Sequence, residues 1–223
     1  MNRRRWAVAS LAAYAIIGAV DIAAQLVGWD PDISLADLTL MPILGGFVWL
    51  AAPPSRLRRL IVVGLIFSWL GDCTGDWLLA KIALFFVAQV AYAAAFLRCR
   101  PRGRRLSPGV VSYGIAVVAL TLFMASRAGS LAVPVALYGI AVALMAVLAT
   151  QVSRVVGIGG LLFLLSDIVL GCYFFLGPDL IPMSLTVNSV LYYPAQLLIA
   201  GGMVVRLWTQ TGEASPTLAA ARG

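Results

Sequence analysis

Residues 155–176 read VVGIGGLLFLLSDIVLGCYFFL, an apolar run that contains a single charged residue, Asp167. An α-helix needs about 20 consecutive apolar residues to cross the hydrocarbon core of a bilayer. Similar runs occur at 6–27, 35–52, 57–80, 82–98, 107–126, 132–150 and 184–208. The sequence therefore predicts an all-α, polytopic membrane protein with one domain of eight transmembrane helices, 1–208. A disordered cytoplasmic tail is expected at 209–223.

The composition excludes a soluble protein. Of the 223 residues, 62% are hydrophobic and only 11% are charged, whereas soluble domains carry about 25% charged residues. The apolar runs do not alternate with polar residues as the strands of a membrane β-barrel do. Inside a bilayer the backbone must then satisfy its own hydrogen bonds as helices. The first run, from Trp6, follows three arginines, and its length favours an uncleaved first span over a signal peptide.

The basic residues indicate an orientation for these helices. Fourteen of the 16 Lys and Arg residues fall on one side if the N-terminus is cytoplasmic, and only Lys81 and Arg127 fall on the other. Cytoplasmic loops are enriched in Lys and Arg. We therefore predict a multi-pass protein of the bacterial cell membrane with both termini in the cytoplasm. The net charge of +7 is explained by this topology, so no nucleic-acid partner is expected.

Cysteine and histidine usage limits the chemistry. The chain has three Cys and no His. The cysteine spacing matches neither a disulfide framework nor a zinc site. No metal or other cofactor is expected, and imidazole is excluded as a general base.

Two carboxylates inside the predicted helices are the strongest functional candidates, because charged groups in a bilayer are costly. Asp72 lies thirteen residues after Arg59, and Asp167 lies thirteen residues after Arg154. At 1.5 Å per residue both lie roughly 20 Å from the cytoplasmic edge. Asp72 and Asp167 are therefore the predicted catalytic pair, whereas Asp21 is more readily interpreted as structural.

Polar side chains recur at helical spacing on three of the predicted helices. Candidate substrate-binding residues are Ser68, Asp76, Gln89, Tyr92, Asn188, Tyr192, Tyr193 and Gln196. Residues four apart share one helix face, which places Ser68, Asp72 and Asp76 together on helix 3. Helices 3, 4, 7 and 8 are expected to enclose a polar cavity open toward the outer half of the membrane. The alternative is that these side chains form only helix–helix hydrogen bonds.

Paired carboxylates without histidine suit one class of reaction. Two neighbouring carboxyl groups separate into an acid and a base. Such a pair can catalyse hydrolysis through an oxocarbenium-like species, in which one group protonates and the other activates water.

An internal repeat is a further hypothesis. Ser68 precedes Gly71-Asp72 in helix 3, and Ser166-Asp167 occurs in helix 7. The next helix in each half carries Ala-Gln, at Gln89 and Gln196. Both halves start from the cytoplasm, so the two four-helix repeats would be parallel.

Four segments together resemble the YhhN-like family of membrane proteins, which includes the lysoplasmalogenases. They are FSWLGD at 67–72, FVAQVAYAAAF at 86–96, GLLFLLSD at 160–167 and YYPAQLLI at 192–199. The resemblance covers residues of about 36–205. It implies hydrolysis of the vinyl ether bond of a lysoplasmalogen, with Asp72 and Asp167 as the family aspartates. The chain departs from the family pattern at Gln89, where many members have His, and at Asp37-Leu38, where many have Lys-Pro.

Three functions remain open from the sequence. The first is a lysophospholipid or ether-lipid hydrolase. The second is a transporter, since intramembrane aspartates and parallel repeats also occur in transporters. The third is a lipid-binding membrane protein without turnover. The oligomeric state is not predicted.

Overall fold

The structure is a computed structural model that describes residues 3–29, 33–100 and 107–212, and in these ranges it contains eight α-helices. The helices are α1 Arg3–Leu26, α2 Leu35–Ala51, α3 Arg56–Asp72, α4 Leu78–Cys99, α5 Pro108–Arg127, α6 Ala132–Val152, α7 Arg154–Phe175 and α8 Ser184–Thr211. Six of them, α1 and α4–α8, are long and apolar enough to cross a membrane. The prediction of an all-α, multi-pass membrane protein is confirmed.

Helices that follow one another in the chain pack side by side within each half, as α1–α2–α3–α4 and as α5–α6–α7–α8. The halves meet where α4 packs against α6, and α8 contacts α1, α2 and α3. The core between them is made of fully buried side chains such as Leu44, Tyr92, Phe96, Phe163 and Met203.

Glycines allow α7 to approach two neighbours closely. A Cβ on Gly159 would lie 3.0 Å from the carbonyl oxygen of Ala195 in α8, and a Cβ on Gly160 would lie 2.7 Å from the Cβ of Ala149 in α6. Small residues are what let helix backbones meet in membranes. The Gly-rich start of α7 therefore fixes this helix between α6 and α8.

The prediction for α3 was wrong at its C-terminal end. We expected one helix over 57–80, but α3 ends at Asp72 and α4 already begins at Leu78. The Thr74 hydroxyl donates to the carbonyl oxygen of Gly71 at 2.7 Å, and Gly75 has a φ of +53°. That left-handed conformation costs glycine little and reverses the chain. Asp76 consequently lies in a turn and not on the face of α3 that carries Ser68.

The C-terminal boundary also differs. α8 continues to Thr211, three residues beyond the predicted end of the helical domain. The rest of the predicted tail, 213–223, lies outside the described residues.

Exposed tryptophans mark the two ends of the bundle. Trp6 and Trp49 lie at the end that carries the start of α3, where the guanidinium of Arg58 stacks 4.1 Å from the ring centroid of Trp49. Trp29 and Trp77 are exposed at the opposite end. Tryptophan is enriched at both membrane–water interfaces, and both ends of the bundle carry exposed tryptophan.

Candidate active site

A cavity of about 470 Å³ opens at the end of the bundle that holds the α1–α2, α3–α4 and α7–α8 connections. Ligand pockets typically measure about 300–1,000 Å³. The arginine-bearing starts of α3 and α7 lie at the other end. The sequence predicted a cavity enclosed by helices 3, 4, 7 and 8, and those helices do contribute to its lining. The prediction was incomplete, because α5 and α6 form a further wall.

The walls of the cavity differ in chemistry. The side formed by α3 and α8 presents Asp72, Asn188 and Tyr192. The side formed by α5 and α6 is mostly apolar, and its residues include Val117, Leu120, Met124, Val135 and Val142. A ligand with a polar part and a hydrocarbon part would match both sides.

Asp72 is the last residue of α3 and is held by a hydrogen-bond network. The Tyr192 hydroxyl donates to Oδ2 of Asp72 at 3.0 Å. The amide of Gln196 donates to the same hydroxyl at 3.2 Å and to Ser68 at 3.1 Å. The Tyr92 hydroxyl donates to Oε1 of Gln196 at 2.9 Å. Side chains from α3, α4 and α8 therefore orient the carboxylate of Asp72 together.

Asp167 lies in the middle of α7 and has a simpler environment. The Tyr138 hydroxyl of α6 donates to its Oδ2 at 2.9 Å. Tyr138 was not a sequence candidate. A signal did exist, because it is the only side chain with a hydroxyl or amide among residues 132–149. A buried tyrosine hydroxyl usually finds a hydrogen-bond partner, and in such an apolar helix that partner must come from a neighbouring helix.

The two aspartates reach the same cavity from helices that do not pack extensively against each other. Tyr192, the partner of Asp72, makes edge-to-face ring contacts with Phe85 and Phe163, which also contact each other, and the centroids are 5.5–6.4 Å apart. The Tyr138 hydroxyl is close enough to interact electrostatically with both carboxylates. The predicted pair thus lines one cavity although α3 and α7 do not pack extensively against each other.

The other predicted residues divide into two groups. Asp76, Asn188, Tyr192 and Tyr193 line the cavity together with the two aspartates. Ser68, Gln89, Tyr92 and Gln196 are fully buried and lie outside the cavity lining. Neither polar atom of the Gln89 amide has a hydrogen-bond partner among the described residues. The second group is therefore placed to support the side chains that face the cavity.

Asp21 belongs to a separate cluster between α1 and α8. Its Oδ2 accepts hydrogen bonds from Tyr193 at 2.7 Å and from Gln25 at 2.8 Å. The Tyr14 hydroxyl donates to the backbone oxygen of Tyr193 at 2.8 Å. These contacts join two helices that are far apart in the chain, which agrees with a structural interpretation of Asp21.

Several residues at the cavity mouth were not sequence candidates. They are Gln25, Ser34, Asp37 and Lys81. Within the described ranges, no group of three or more His, Cys, Asp or Glu side chains is close enough to hold a metal ion.

Comparison with known proteins identifies the family of the chain. The model of the YhhN family matches residues 34–203. The human protein named lysoplasmalogenase TMEM86B is 31% identical over 182 residues, which cover 77% of this chain and 77% of the human protein. No solved structure matches significantly. Both Asp72 and Asp167 lie inside the matched range, and the chain belongs to the YhhN family.

Proposed function

We propose that this protein is a membrane-embedded hydrolase that cleaves the vinyl ether bond of lysoplasmalogens. The products are a fatty aldehyde and glycerophosphoethanolamine or glycerophosphocholine. The observation that carries the proposal is the pair of carboxyl groups, Asp72 and Asp167, that face one cavity with a polar and an apolar side. The human relative that carries the name lysoplasmalogenase supports the reaction type.

The pair supplies what vinyl ether hydrolysis requires. One carboxylic acid donates a proton to the alkene carbon farther from the ether oxygen, which leaves an oxocarbenium ion on the adjacent carbon. Water attacks that carbon and loses a proton to the second carboxylate, which gives a hemiacetal. The second carboxylic acid then protonates the glycerol oxygen as its bond to the hemiacetal carbon breaks, and the first carboxylate takes the proton of the hemiacetal hydroxyl, which releases the aldehyde. Asp72 and Asp167 end the cycle in their starting forms.

The neighbouring residues take supporting roles. Tyr192 and Tyr138 each hold one carboxyl group by a hydrogen bond. Gln196 in turn holds Tyr192 and is itself bonded to Ser68 and Tyr92. Groups locked by a surrounding hydrogen-bond network keep a catalytic side chain in its productive orientation. The apolar wall of α5 and α6 takes the hydrocarbon chain.

We infer that all eight helices cross the membrane, including the shorter α2 and α3. At the end of the bundle where α1 begins, the indole N–H of Trp208 in α8 donates to the backbone oxygen of Ala51 in α2 at 2.7 Å. Near the cavity end, Trp69 of α3 donates to the backbone oxygen of Leu38 in α2 at 3.1 Å. α2 and α3 therefore run the length of the bundle between α1 and α4. With the arginine distribution, this supports cytoplasmic termini, a cavity facing outward and a cell-membrane location.

The parallel four-plus-four repeat remains part of this proposal. In both halves the first helix packs against the second, the second against the third, and the third against the fourth. The third helix of each half also contributes one aspartate to the cavity, Asp72 from α3 and Asp167 from α7.

The function is tested by aldehyde release from purified protein in detergent. The substrate is a 1-alkenyl lysophosphatidylethanolamine, and the control is the 1-alkyl lipid with the same headgroup, which lacks the double bond. We expect aldehyde only from the alkenyl lipid. Aldehyde-free incubation with both the ethanolamine and the choline alkenyl lipids would contradict the proposal, and flux of a lysolipid across proteoliposomes would then favour a transporter.

A further inference from the structure

Lys81 gives the cavity mouth a positive charge. It lies in the first turn of α4, one helical turn before Phe85, and both residues line the cavity. Among the described residues that form the cavity wall, it is the only lysine or arginine. A half-buried ammonium at a cavity entrance is a strong, mobile point charge for an anionic ligand.

Two further carboxylates line the cavity together with this ammonium. Asp37 lies in the first turn of α2, where its Oδ2 accepts the backbone N–H of Ser34 at 2.7 Å. Asp76 is exposed in the turn that connects α3 to α4. Both residues line the cavity, and Lys81 attracts Asp37 as well as the deeper Asp72. The mouth therefore holds one positive charge together with negative charges from the start of α2 and from the α3–α4 turn.

This arrangement matches a ligand that carries both signs of charge. A phosphate next to Lys81 gains charge-assisted hydrogen bonds. An amine a few bonds farther along the same headgroup would lie between the carboxylates of Asp37 and Asp76. A headgroup with phosphate alone would instead meet two unpaired negative charges, and like charges at a binding site oppose association.

We propose that the mouth formed by Lys81, Asp37 and Asp76 is the binding site for a zwitterionic phosphate–ammonium headgroup. The inference rests on the proposed function, because it deepens the same cavity. With the phosphate at Lys81, the glycerol extends toward Asp72 and the hydrocarbon chain extends along α5 and α6. The scissile ether bond, which joins glycerol to chain, is thereby placed between the polar and apolar walls.

The test measures binding without turnover. The probes are three 1-O-hexadecyl lipids that cannot be hydrolysed by this chemistry: lysophosphatidylethanolamine, lysophosphatidic acid and hexadecylglycerol. The variants are Lys81→Gln and Asp76→Asn, and Arg127→Gln is the matched control. Arg127 is the other cation at this end of the bundle, and it lies outside the cavity lining with its guanidinium 5.3 Å from the Phe123 ring. Asp37 is left unchanged because it also caps α2.

The two substitutions are expected to differ in their effect on the binding of lysophosphatidic acid. Lys81→Gln should weaken binding of both phosphate lipids by about tenfold and leave hexadecylglycerol unaffected. Asp76→Asn should weaken binding of the ethanolamine lipid by about threefold and leave lysophosphatidic acid equally or more tightly bound. Arg127→Gln should change the affinity for each of the three lipids by no more than about twofold.

Equal affinity of Lys81→Gln and wild type for all three lipids would overturn the headgroup site, even if wild type releases aldehyde. The headgroup site would also be overturned if Asp76→Asn weakened the binding of both phosphate lipids by the same factor. Headgroup-dependent binding without aldehyde release from any alkenyl lipid would instead sustain this site and contradict the proposed hydrolysis, so the two failures are distinguishable.

Discussion

Asp72 and Asp167 face the same cavity, yet their surroundings differ. Asp72 ends a helix beside a turn, and its partner Tyr192 belongs to a buried network with Gln196, Ser68 and Tyr92. Asp167 lies in the middle of α7 with a single described hydrogen-bond partner, Tyr138, which also lines the cavity. Asp72 is thus held by a tyrosine that a buried network fixes behind the cavity, whereas Asp167 is held by a tyrosine for which no such network is described.

The two environments predict different effects of substitution on stability. Loss of a buried hydrogen-bond partner leaves groups that water cannot reach, and that loss lowers stability. Loss of a partner at a cavity surface can be compensated by water. Equivalent substitutions on the two sides should therefore affect catalysis alike and stability unequally.

The largest effect is expected from the aspartates themselves. Asp72→Asn and Asp167→Asn each remove a proton donor or acceptor while they preserve size, so each should lower kcat for aldehyde release by about 10²–10⁴-fold. Asp179→Asn is the control, because Asp179 is exposed at the same end of the bundle and lies outside the cavity lining. It should retain wild-type activity. Wild-type turnover by either cavity variant would remove that aspartate from the mechanism.

An intermediate effect is expected from the two tyrosines. Tyr192→Phe and Tyr138→Phe should each lower kcat by about tenfold, because each frees one catalytic carboxyl group to rotate. Tyr192→Phe also leaves the buried amide of Gln196 without one acceptor, which should lower the free energy of unfolding by about 1 kcal/mol. Thermal unfolding in detergent would measure this, and an equal loss of stability in both variants would contradict the contrast drawn above.

The smallest effect on activity is expected from two glycines near the aspartates. A Cβ on Gly71 would lie 2.7 Å from the Phe85 ring, whereas a Cβ on Gly171 would lie 3.8 Å from the sulfur of Met124. Gly71→Ala should therefore cost about 1–3 kcal/mol of stability through displacement of Phe85. Gly171→Ala should change stability by less than about 0.5 kcal/mol. Unfolding midpoints in denaturant compare them, and similar values would show that the tight α3–α4 contact is dispensable.

Much of this molecule could be predicted from its sequence, because long apolar runs identify membrane helices. The apolar runs identified eight helices, and the matched distances from Arg59 and Arg154 selected Asp72 and Asp167, which do share a cavity. Those inferences depend on local hydropathy and on helix rise alone.

Other features could not be predicted because they depend on where a helix ends and on which side chains of two helices meet. The turn after Asp72 is only five residues long, 73–77, and lies between two apolar runs, so a reading by hydropathy joined it to the preceding helix. The partnership of Tyr138 with Asp167 joins α6 to α7, and no spacing within either helix indicates it. Lys81 was interpreted only as an outer-loop charge, since its position on the cavity wall follows from the early start of α4.

The central claim is hydrolysis that begins with proton transfer to carbon, and one labelling experiment tests it most directly. Wild-type protein is incubated in deuterium oxide with a 1-alkenyl lysophosphatidylethanolamine, and the released aldehyde is trapped at once and analysed by mass spectrometry. The mechanism predicts one deuterium on the carbon next to the carbonyl group in every molecule. Aldehyde without deuterium at that carbon, or no aldehyde at all, would contradict it.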